Sequence, residues 1–486
     1  MHMRTIIRVV FLGGWLLVVA GCKKFLEHPP DNRAKLNSPA KVAQLLGTAY
    51  PQANYMAFCE SISDNAADKG FGGLTNTNIQ PYKFQDVSEN QQDSPEFYWN
   101  ACYAAIAAAN QALEACNKAP DPENYRAQKG EALVCRAYAH FMLVTLFSKV
   151  YDPATADQDP GIPYVTEPET VVFKNYERKT VAYVYEMIEK DLTEGLPLID
   201  DKSYSVPGYH FTKAAANAFA ARFYLFKREY TKVIDHANAV FPGNNVVPSL
   251  RPWNTTYLTI TYNELFARYA KDTEPANLLL VETSSLWARN YFTVRYGMDA
   301  TVRSQILTAN VTGGTWAFVN QLYTAGTNNY LIPKINEYFV RSSVNADIGY
   351  PYVMVPLFTA EEVLFNRAEA KAHLDDVDGA MDDLNLYAST RIRQYNRTNH
   401  AVTAQKARNF YRTSDTKAAV IETILDFKRA EFVQEGMRWF DLLRYNRPVV
   451  HTTWEGETFT LEPNDLRRVF QIPESARLSG IELNPR

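Results

Sequence analysis

The chain has 486 residues and a formal net charge of −4, with 46% hydrophobic and 21% charged residues. This composition is typical of a globular protein and excludes an intrinsically disordered chain. Because no basic tract accompanies the slightly acidic balance, we expect no nucleic-acid partner. Aromatic residues reach 13%, which suits either a large core or an aromatic binding surface.

The first 21 residues have the pattern of a lipoprotein signal peptide. Arg4 and Arg8 form a positive region, and the apolar stretch Val9–Ala20 that follows is too short to span a bilayer comfortably. Val19–Cys22 has small residues before a cysteine, as in a lipobox. The sequence therefore predicts a lipid anchor on Cys22, with an ordinary signal peptide and an incidental cysteine as the alternative.

Helical periodicity recurs along the chain in pairs. Apolar and small residues spaced by three and four positions predict helical elements over 96–146, 180–241, 359–393 and 416–445. Prolines at 120 and 122 mark the turn of the first pair. We predict a mainly α fold, with tetratricopeptide-type helix hairpins as a scaffold over about 40–240 and 357–446. The spacing between the pairs is irregular, so no fixed repeat is visible.

The remaining segments of the chain lack this periodicity. Residues 242–356 contain scattered Thr-, Val- and Tyr-rich runs and turn signals, which predict loops with short strands inserted into the scaffold. The C-terminal segment 447–486 is irregular, with a hairpin predicted around Glu455-Gly456. We interpret residues 22–486 as a single unit in which the insertion carries the ligand site.

Four cysteines follow Cys22 in the chain. Cys102, Cys116 and Cys135 lie on apolar helical stripes, where a free cysteine packs as a small hydrophobic residue. We therefore expect buried thiols at these positions and at Cys59. A disulfide is the alternative, because an exported chain meets oxidising conditions.

The stretch Asp426–Tyr445 carries charges of both signs at spacings of three and four. Residues so spaced share one face of a helix and can form ion pairs. We interpret the stretch as a helix broken at Gly436 and packed on the core through Trp439, with a structural role. The charged residues are Arg429, Glu431, Glu435, Arg438, Asp441 and Arg444.

The same stretch, read as R-x-E-x-x-x-E-G-x-R-W-x-D-L-x-R, resembles the C-terminal signature of the SusD/RagB family. Shorter resemblances follow the family's order from Cys22 to the C-terminus, although Ser148 stands where a glycine is usual. These pieces include C-x-x-F-L from Cys22, Lys129–Ala132, Gly161–Pro163, Ala368–Ala370 and Asn484-Pro485.

The resemblance implies a SusD-like fold and a lipid-anchored binding protein of the outer membrane, facing the cell surface. It implies capture of an oligosaccharide or another nutrient and delivery to a SusC-like TonB-dependent transporter. An anchored helical-repeat scaffold that binds protein, and an anchored glycoside hydrolase, are the alternative functions.

No arrangement of residues indicates catalysis, a metal or a cofactor. The eight histidines have no metal-binding spacing, and the chain has no G-x-S-x-G sequence. Gly70-x-Gly72-Gly73 lacks the strand and helix of a nucleotide site, so we interpret it as a flexible loop. With 54 acidic residues, no carboxylate pair stands out as that of a glycosidase.

Two loop regions combine aromatic rings with hydrogen-bonding side chains, which is what a sugar ring requires. They are 64–84 and 284–316, and the resemblance places the ligand surface in loops of corresponding regions. We predict a platform led by Trp287, with packing onto the scaffold as the alternative for each ring. Trp99 and Trp439 are assigned to the core, while Trp253 and Trp454 stay open. The predicted ligand-binding residues are Trp287, Tyr291, Tyr296, Arg289, Asn290, Tyr82 and Asp68.

Overall fold

The computed structural model describes residues 36–169, 171, 174–324, 326 and 328–486, so the predicted signal peptide and Cys22 lie outside the described residues. The fold is mainly α, as predicted. The helices are α1 (Pro39–Leu46), α2 (Met56–Ile62), α3 (Asn76–Tyr82), α4 (Pro95–Lys118), α5 (Arg126–Phe147), α6 (Val181–Gly195), α7 (Lys213–Lys227), α8 (Tyr230–Val240), α9 (Thr256–Thr259), α10 (Tyr262–Tyr269), α11 (Trp287–Asn290), α12 (Ala300–Leu307), α13 (Ala360–His373), α14 (Val377–Arg391), α15 (Arg397–His400), α16 (Ala404–Tyr411), α17 (Thr416–Glu431) and α18 (Arg438–Arg444).

The strands are few and mostly short. They are β1 (Ala67–Asp68), β2 (Asn277–Ser284), β3 (Tyr296–Gly297), β4 (Tyr323–Thr324), β5 (Tyr330–Leu331), β6 (Glu337–Arg341), β7 (Gly349–Thr359), β8 (Val449–Thr452) and β9 (Thr458–Leu461). All the strand pairs are antiparallel. The hairpin predicted around Glu455-Gly456 is confirmed as β8–β9.

The first predicted helix pair is confirmed as α4 and α5, which pack against each other. The Ser94 side chain caps α4 by accepting from the Phe97 N–H over 3.1 Å, and Pro95 starts the helix. By length and composition, the helix over 122–147 could cross a membrane. Its apolar stretch is nevertheless fully buried, so it is a core helix of this fold.

The second predicted pair is three helices rather than two. Arg228 adopts a left-handed backbone conformation (φ 64°), which ends α7 and lets α8 start two residues later. The third pair is confirmed as α13 and α14, with the Asp376 side chain capping α14 through the Gly379 N–H at 3.0 Å. Helix α13 also packs on α7, α8 and α17, which joins the hairpins into one scaffold.

The region 242–356 contains more regular structure than the predicted loops and short strands. Strands β2, β7 and β6 form a three-stranded sheet in that order, and β7 runs for 11 residues. The main hydrophobic core runs from Val42 to Ile481 and joins this region to the helices on both sides. Cys59, Cys102, Cys116 and Cys135 are free and buried, as predicted.

The break in the 426–445 stretch is stabilised from a distant helix. Helix α17 ends at Glu431 and α18 begins at Arg438. Between them, the buried Glu60 carboxylate accepts from the N–H groups of Gln434 (2.7 Å) and Gly436 (2.9 Å). Gly436 has φ +75°, and a Cβ there would lie 2.9 Å from a backbone atom of Met56, so this position needs glycine.

Because of this break, most of the charged residues in the stretch do not pair along one helix face. Asp441 and Arg444 make one such pair, at 2.9 Å. The remaining contacts join the stretch mostly to elements far away in the sequence, and Asp441 also pairs with Lys428 of α17. Burial and pairing fit the structural role predicted for these residues, which stays a prediction. The pairs are Glu431–Arg391, Glu435–Lys334, Arg438–Asp64, Arg444–Glu369 and Asp441–Lys428, and Arg429 donates to Asn65.

Candidate functional site

The residues predicted to lead the binding platform are packed inside the protein. Trp287 is 3% exposed and donates its Nε1–H to a backbone carbonyl over 3.0 Å, and Tyr291 is 2% exposed. Both rings lie beneath the β2–β7–β6 sheet, in a cluster with residues of β7. Arg289 is at the surface, where its guanidinium pairs with Glu337. Asn290 is half-buried at the end of α11.

The other three predicted residues come together in a second place, around β1 and β3. Tyr82 and Tyr296 stack with ring centroids 4.0 Å apart, and Tyr82 also stacks on His451 at 4.1 Å. Tyr82 and Tyr296 are buried, so the predicted exposure of the four aromatic rings at 82, 287, 291 and 296 is wrong. The stretches that carry them form short helices and strands, and these bury rings even where helical periodicity is absent.

One tryptophan of the described chain is exposed, and it is one that the sequence analysis assigned neither to the core nor to the surface. Trp454 is 68% exposed at the tip of the β8–β9 hairpin, whereas the other tryptophans of the described chain are buried. Phe71, at 45%, and Leu74, at 61%, are exposed on the loop after β1. We call the surface made by Trp454, Arg295 and Glu455, which meet beside the Gly70 backbone and the Asp68 carboxylate, the Trp454 face.

The glycine-rich loop brings these residues together. Gly70 has φ +77°, and a Cβ there would lie 2.7 Å from the Trp454 ring. Gly72 has φ +119°, and a Cβ there would meet the backbone of Thr293 and Arg295 at 2.8 Å. Glycine is therefore needed at both positions. At Gly70 it lets the indole lie against the loop, and at Gly72 it lets the loop run along the segment just before β3. The loop therefore has close backbone contacts at these two glycines, while its side chains at Phe71 and Leu74 are exposed and its flexibility stays a prediction.

Asp68 is the buried anchor of the Trp454 face. Its carboxylate accepts from Arg295 Nε (2.7 Å) and Nη2 (2.8 Å), and from the N–H groups of Gly70 (2.8 Å) and Trp454 (3.0 Å). Burial alone would raise the pKa of Asp68, but these hydrogen bonds outweigh burial and lower it. Asp68 thus stays charged and holds the hairpin tip against the loop.

The surface of the Trp454 face is both aromatic and polar. Arg295 reaches past Asp68 to Glu455, at 2.8 Å, so a guanidinium and a carboxylate lie beside the exposed indole. An indole face with such groups at its edge can stack on the C–H face of a sugar ring and bond its hydroxyls. The sequence contained one signal for the exposure of Trp454. This residue stands in a predicted hairpin turn, and hairpin turns lie at the surface.

Within the described residues, no group of three or more His, Cys, Asp or Glu side chains could hold a metal ion. The side chains of the Trp454 face can supply stacking and hydrogen bonding.

Two family models match consecutive parts of the chain. The family described as starch-binding, associating with outer membrane, matches residues 24–225. The SusD family model matches residues 252–473. The second match includes the C-terminal signature, Arg295 and Trp454, while the first includes the glycine-rich loop.

Known proteins agree with these family matches. SusD-like protein P2 of Formosa agariphila is 26% identical over 242 residues, and the match spans 46% of this chain and 44% of that protein. A SusD superfamily protein of Bacteroides thetaiotaomicron has the same fold, with a TM-score of 0.67 and 19% identity, over 92% of this chain and 100% of that one. A SusD-like carbohydrate binding protein of Bacteroides vulgatus gives a TM-score of 0.67 and 16% identity, over 91% and 96%.

Proposed function

This chain belongs to the SusD/RagB family, and on that premise we propose that it is a glycan-binding protein that captures its ligand without cleaving it. The Trp454 face is the observation that carries the proposal. It offers an exposed indole on a hairpin tip whose backbone N–H is bound by the buried Asp68 carboxylate, with charged side chains beside it. An indole beside hydrogen-bonding groups supplies what a sugar ring requires, namely a face to stack on and partners for its hydroxyls.

Replacing Trp454 with alanine should weaken glycan binding by a factor of about 5 to 150, which is the usual range for an aromatic contact residue. The loss should leave thermal stability nearly unchanged, because the indole is exposed. Calorimetry would measure affinity for the glycan selected from a panel of purified oligosaccharides. Phe410→Ala is the matched control, since Phe410 is 40% exposed on α16, which contributes nothing to the Trp454 face.

The same panel separates the three functional classes. Binding without release of shorter sugars supports a capture protein, and release of shorter sugars would support a glycoside hydrolase. Failure of every glycan to bind would favour the helical scaffold that binds protein. Affinity that survives Trp454→Ala unchanged would remove the Trp454 face from the proposal.

We further propose that the protein is anchored at the outer membrane through lipidated Cys22, faces the cell surface and delivers its glycan to a SusC-like TonB-dependent transporter. Two things support this proposal, namely family membership and the lipobox at Val19–Cys22. A lipid on the first residue of the mature chain would tether the folded unit without a membrane helix.

Replacing Cys22 with alanine should release the protein from the membrane fraction, because the lipid on Cys22 is its proposed tether. Fractionation and immunoblotting would measure the change, with Cys116→Ala as the control that removes a buried thiol and keeps the anchor. A Cys22→Ala protein that stays in washed outer membranes would contradict the lipid anchor.

A further inference from the structure

A concave surface lies among the helix hairpins, apart from the Trp454 face. It is a cleft of about 310 Å³, built where α7 meets α8 and where α13 and α18 end. This volume is at the lower end of the range of about 300–1,000 Å³ for small-molecule sites, so a compact ligand fits better than a long chain. None of its lining residues belongs to the Trp454 face. We call it the Tyr230 cleft.

Aromatic rings form much of its lining. Tyr230 stacks on His373 with centroids 4.3 Å apart and planes 8° apart, and Tyr445 lies next to His373 at 6.4 Å. Tyr151 packs one face on the buried Tyr185, with centroids 4.6 Å apart, which leaves its other face for a ligand. The Tyr151 and Tyr230 rings are half-buried, so they are held in place yet still reachable.

The charges in the cleft are compensated by neighbouring groups. The Arg444 guanidinium donates to Glu369 over 2.6 Å and to Asp441 over 2.9 Å. Arg228 makes a longer contact of 3.4 Å with Asp152, and 42% of its side chain is exposed. Two guanidinium groups disfavour a cationic ligand, while the carboxylates that neutralise them remove most of the attraction for an anion.

The hydrogen-bonding groups that remain point to a polyol. Neither the Tyr151 hydroxyl nor the Tyr230 hydroxyl makes a hydrogen bond to the described residues, and the pKa of Tyr230 is raised mainly by burial. Arg228 keeps donors to spare, because it makes a single contact with Asp152. Two hydroxyls and a guanidinium around an aromatic lining match the polar edge and the C–H face of a pyranose ring.

We propose that the Tyr230 cleft is a second carbohydrate site, which binds one or two neutral sugar rings independently of the Trp454 face. Tyr151 stacks on the sugar ring, and the Tyr151 hydroxyl, the Tyr230 hydroxyl and the Arg228 guanidinium bond the hydroxyls of the sugar. The inference shares with the proposed function only the class of ligand. Together, the two sites would let one protein hold a branched or folded-back glycan at two points, which raises avidity through effective concentration.

The test uses methyl β-D-glucopyranoside, methyl β-D-galactopyranoside and methyl α-D-mannopyranoside as probes. NMR of the protein labelled at its histidines would report on the cleft, with the His373 signal assigned through its loss in His373→Gln. At least one glycoside should shift this signal saturably, with a Kd on the order of 1 mM. Tyr151→Ala should weaken that binding about tenfold or more, and Tyr151→Phe, which keeps the ring, roughly 2–10-fold.

The control is Tyr183→Ala, since Tyr183 is 39% exposed on α6 and does not line the cleft. Neither it nor Trp454→Ala should alter the His373 response. No response to any glycoside, a response undiminished in both Tyr151 variants, or a response to choline or acetate instead would overturn the proposal. A response that persists when no oligosaccharide binds the Trp454 face would support this site while the proposed function fails.

Discussion

Replacing Arg391 with methionine should destabilise the protein by about 3–5 kcal/mol, because it leaves buried carboxylates without their partner. The Arg391 guanidinium donates to Glu431 over 2.8 and 3.0 Å and to Glu361 over 2.7 Å. All three side chains are fully buried. In the variant, Glu361 still pairs with Arg251 at 2.9 Å, so the larger loss of pairing falls on Glu431. Chemical denaturation of the variant and the parent protein would measure the difference.

The matched control for this prediction is Arg393→Met. Arg393 lies two residues further along the chain and is exposed, so its replacement should change stability by no more than about 0.5 kcal/mol. The double variant Arg391→Met with Glu431→Gln should recover part of the loss, because the unpaired charge is gone. A single variant as stable as the control would show that the ion pairs contribute nothing.

The deficit of Arg391→Met should also depend on pH. Burial alone would raise the pKa of Glu431, but Arg391 outweighs burial and lowers it. Because the pKa of Glu431 is lower in the folded state, its ionised form stabilises the fold. This stabilisation is present above the pKa of a glutamate in the unfolded chain, about 4.3, and is lost as the pH falls. Without Arg391, burial raises the pKa of Glu431, which penalises folding as the pH rises. The difference between variant and parent should therefore be large at pH 7 and shrink towards pH 4.

The sequence predicted the helices well because their signals are local. Spacings of three and four, a proline-rich turn and capping residues lie within the segment they shape, which is why α4, α5, α13 and α14 appear where expected. The extra helix α8 was missed since its boundary depends on the left-handed backbone of Arg228, and that arginine carries no turn signal.

Partner choice and burial depend on tertiary structure, and here the sequence was a poor guide. Glu431 and Arg438 have the spacing of residues that share a helix face, yet they bond to Arg391 and Asp64. Trp287 and Trp454 both stand in stretches without helical periodicity. Whether each ring is covered depends on elements distant in the chain. Strand β7 covers Trp287, whereas no described element covers Trp454 to the same extent.

Trp439→Ala should likewise cost about 3–5 kcal/mol of stability, because it removes a large side chain that is fully buried. The ring packs near Phe470 and under the Arg468 guanidinium, 5.5 Å from its centroid, so truncation leaves a cavity that the surroundings cannot fill. Chemical denaturation would measure the loss. Glycan affinity of the folded fraction should equal that of the parent protein, since Trp439 belongs to neither proposed site.

Trp439→Ala and Trp454→Ala form a reciprocal pair that separates scaffold from site. The first variant should lose stability and keep affinity, whereas the second should lose affinity and keep stability, because one indole is 0% and the other 68% exposed. Calorimetry would measure the glycan affinity of each variant, and chemical denaturation would measure the stability of each. If Trp439→Ala lost affinity at unchanged stability, the C-terminal signature itself would take part in binding, and the purely structural role inferred from its buried ion pairs would be wrong.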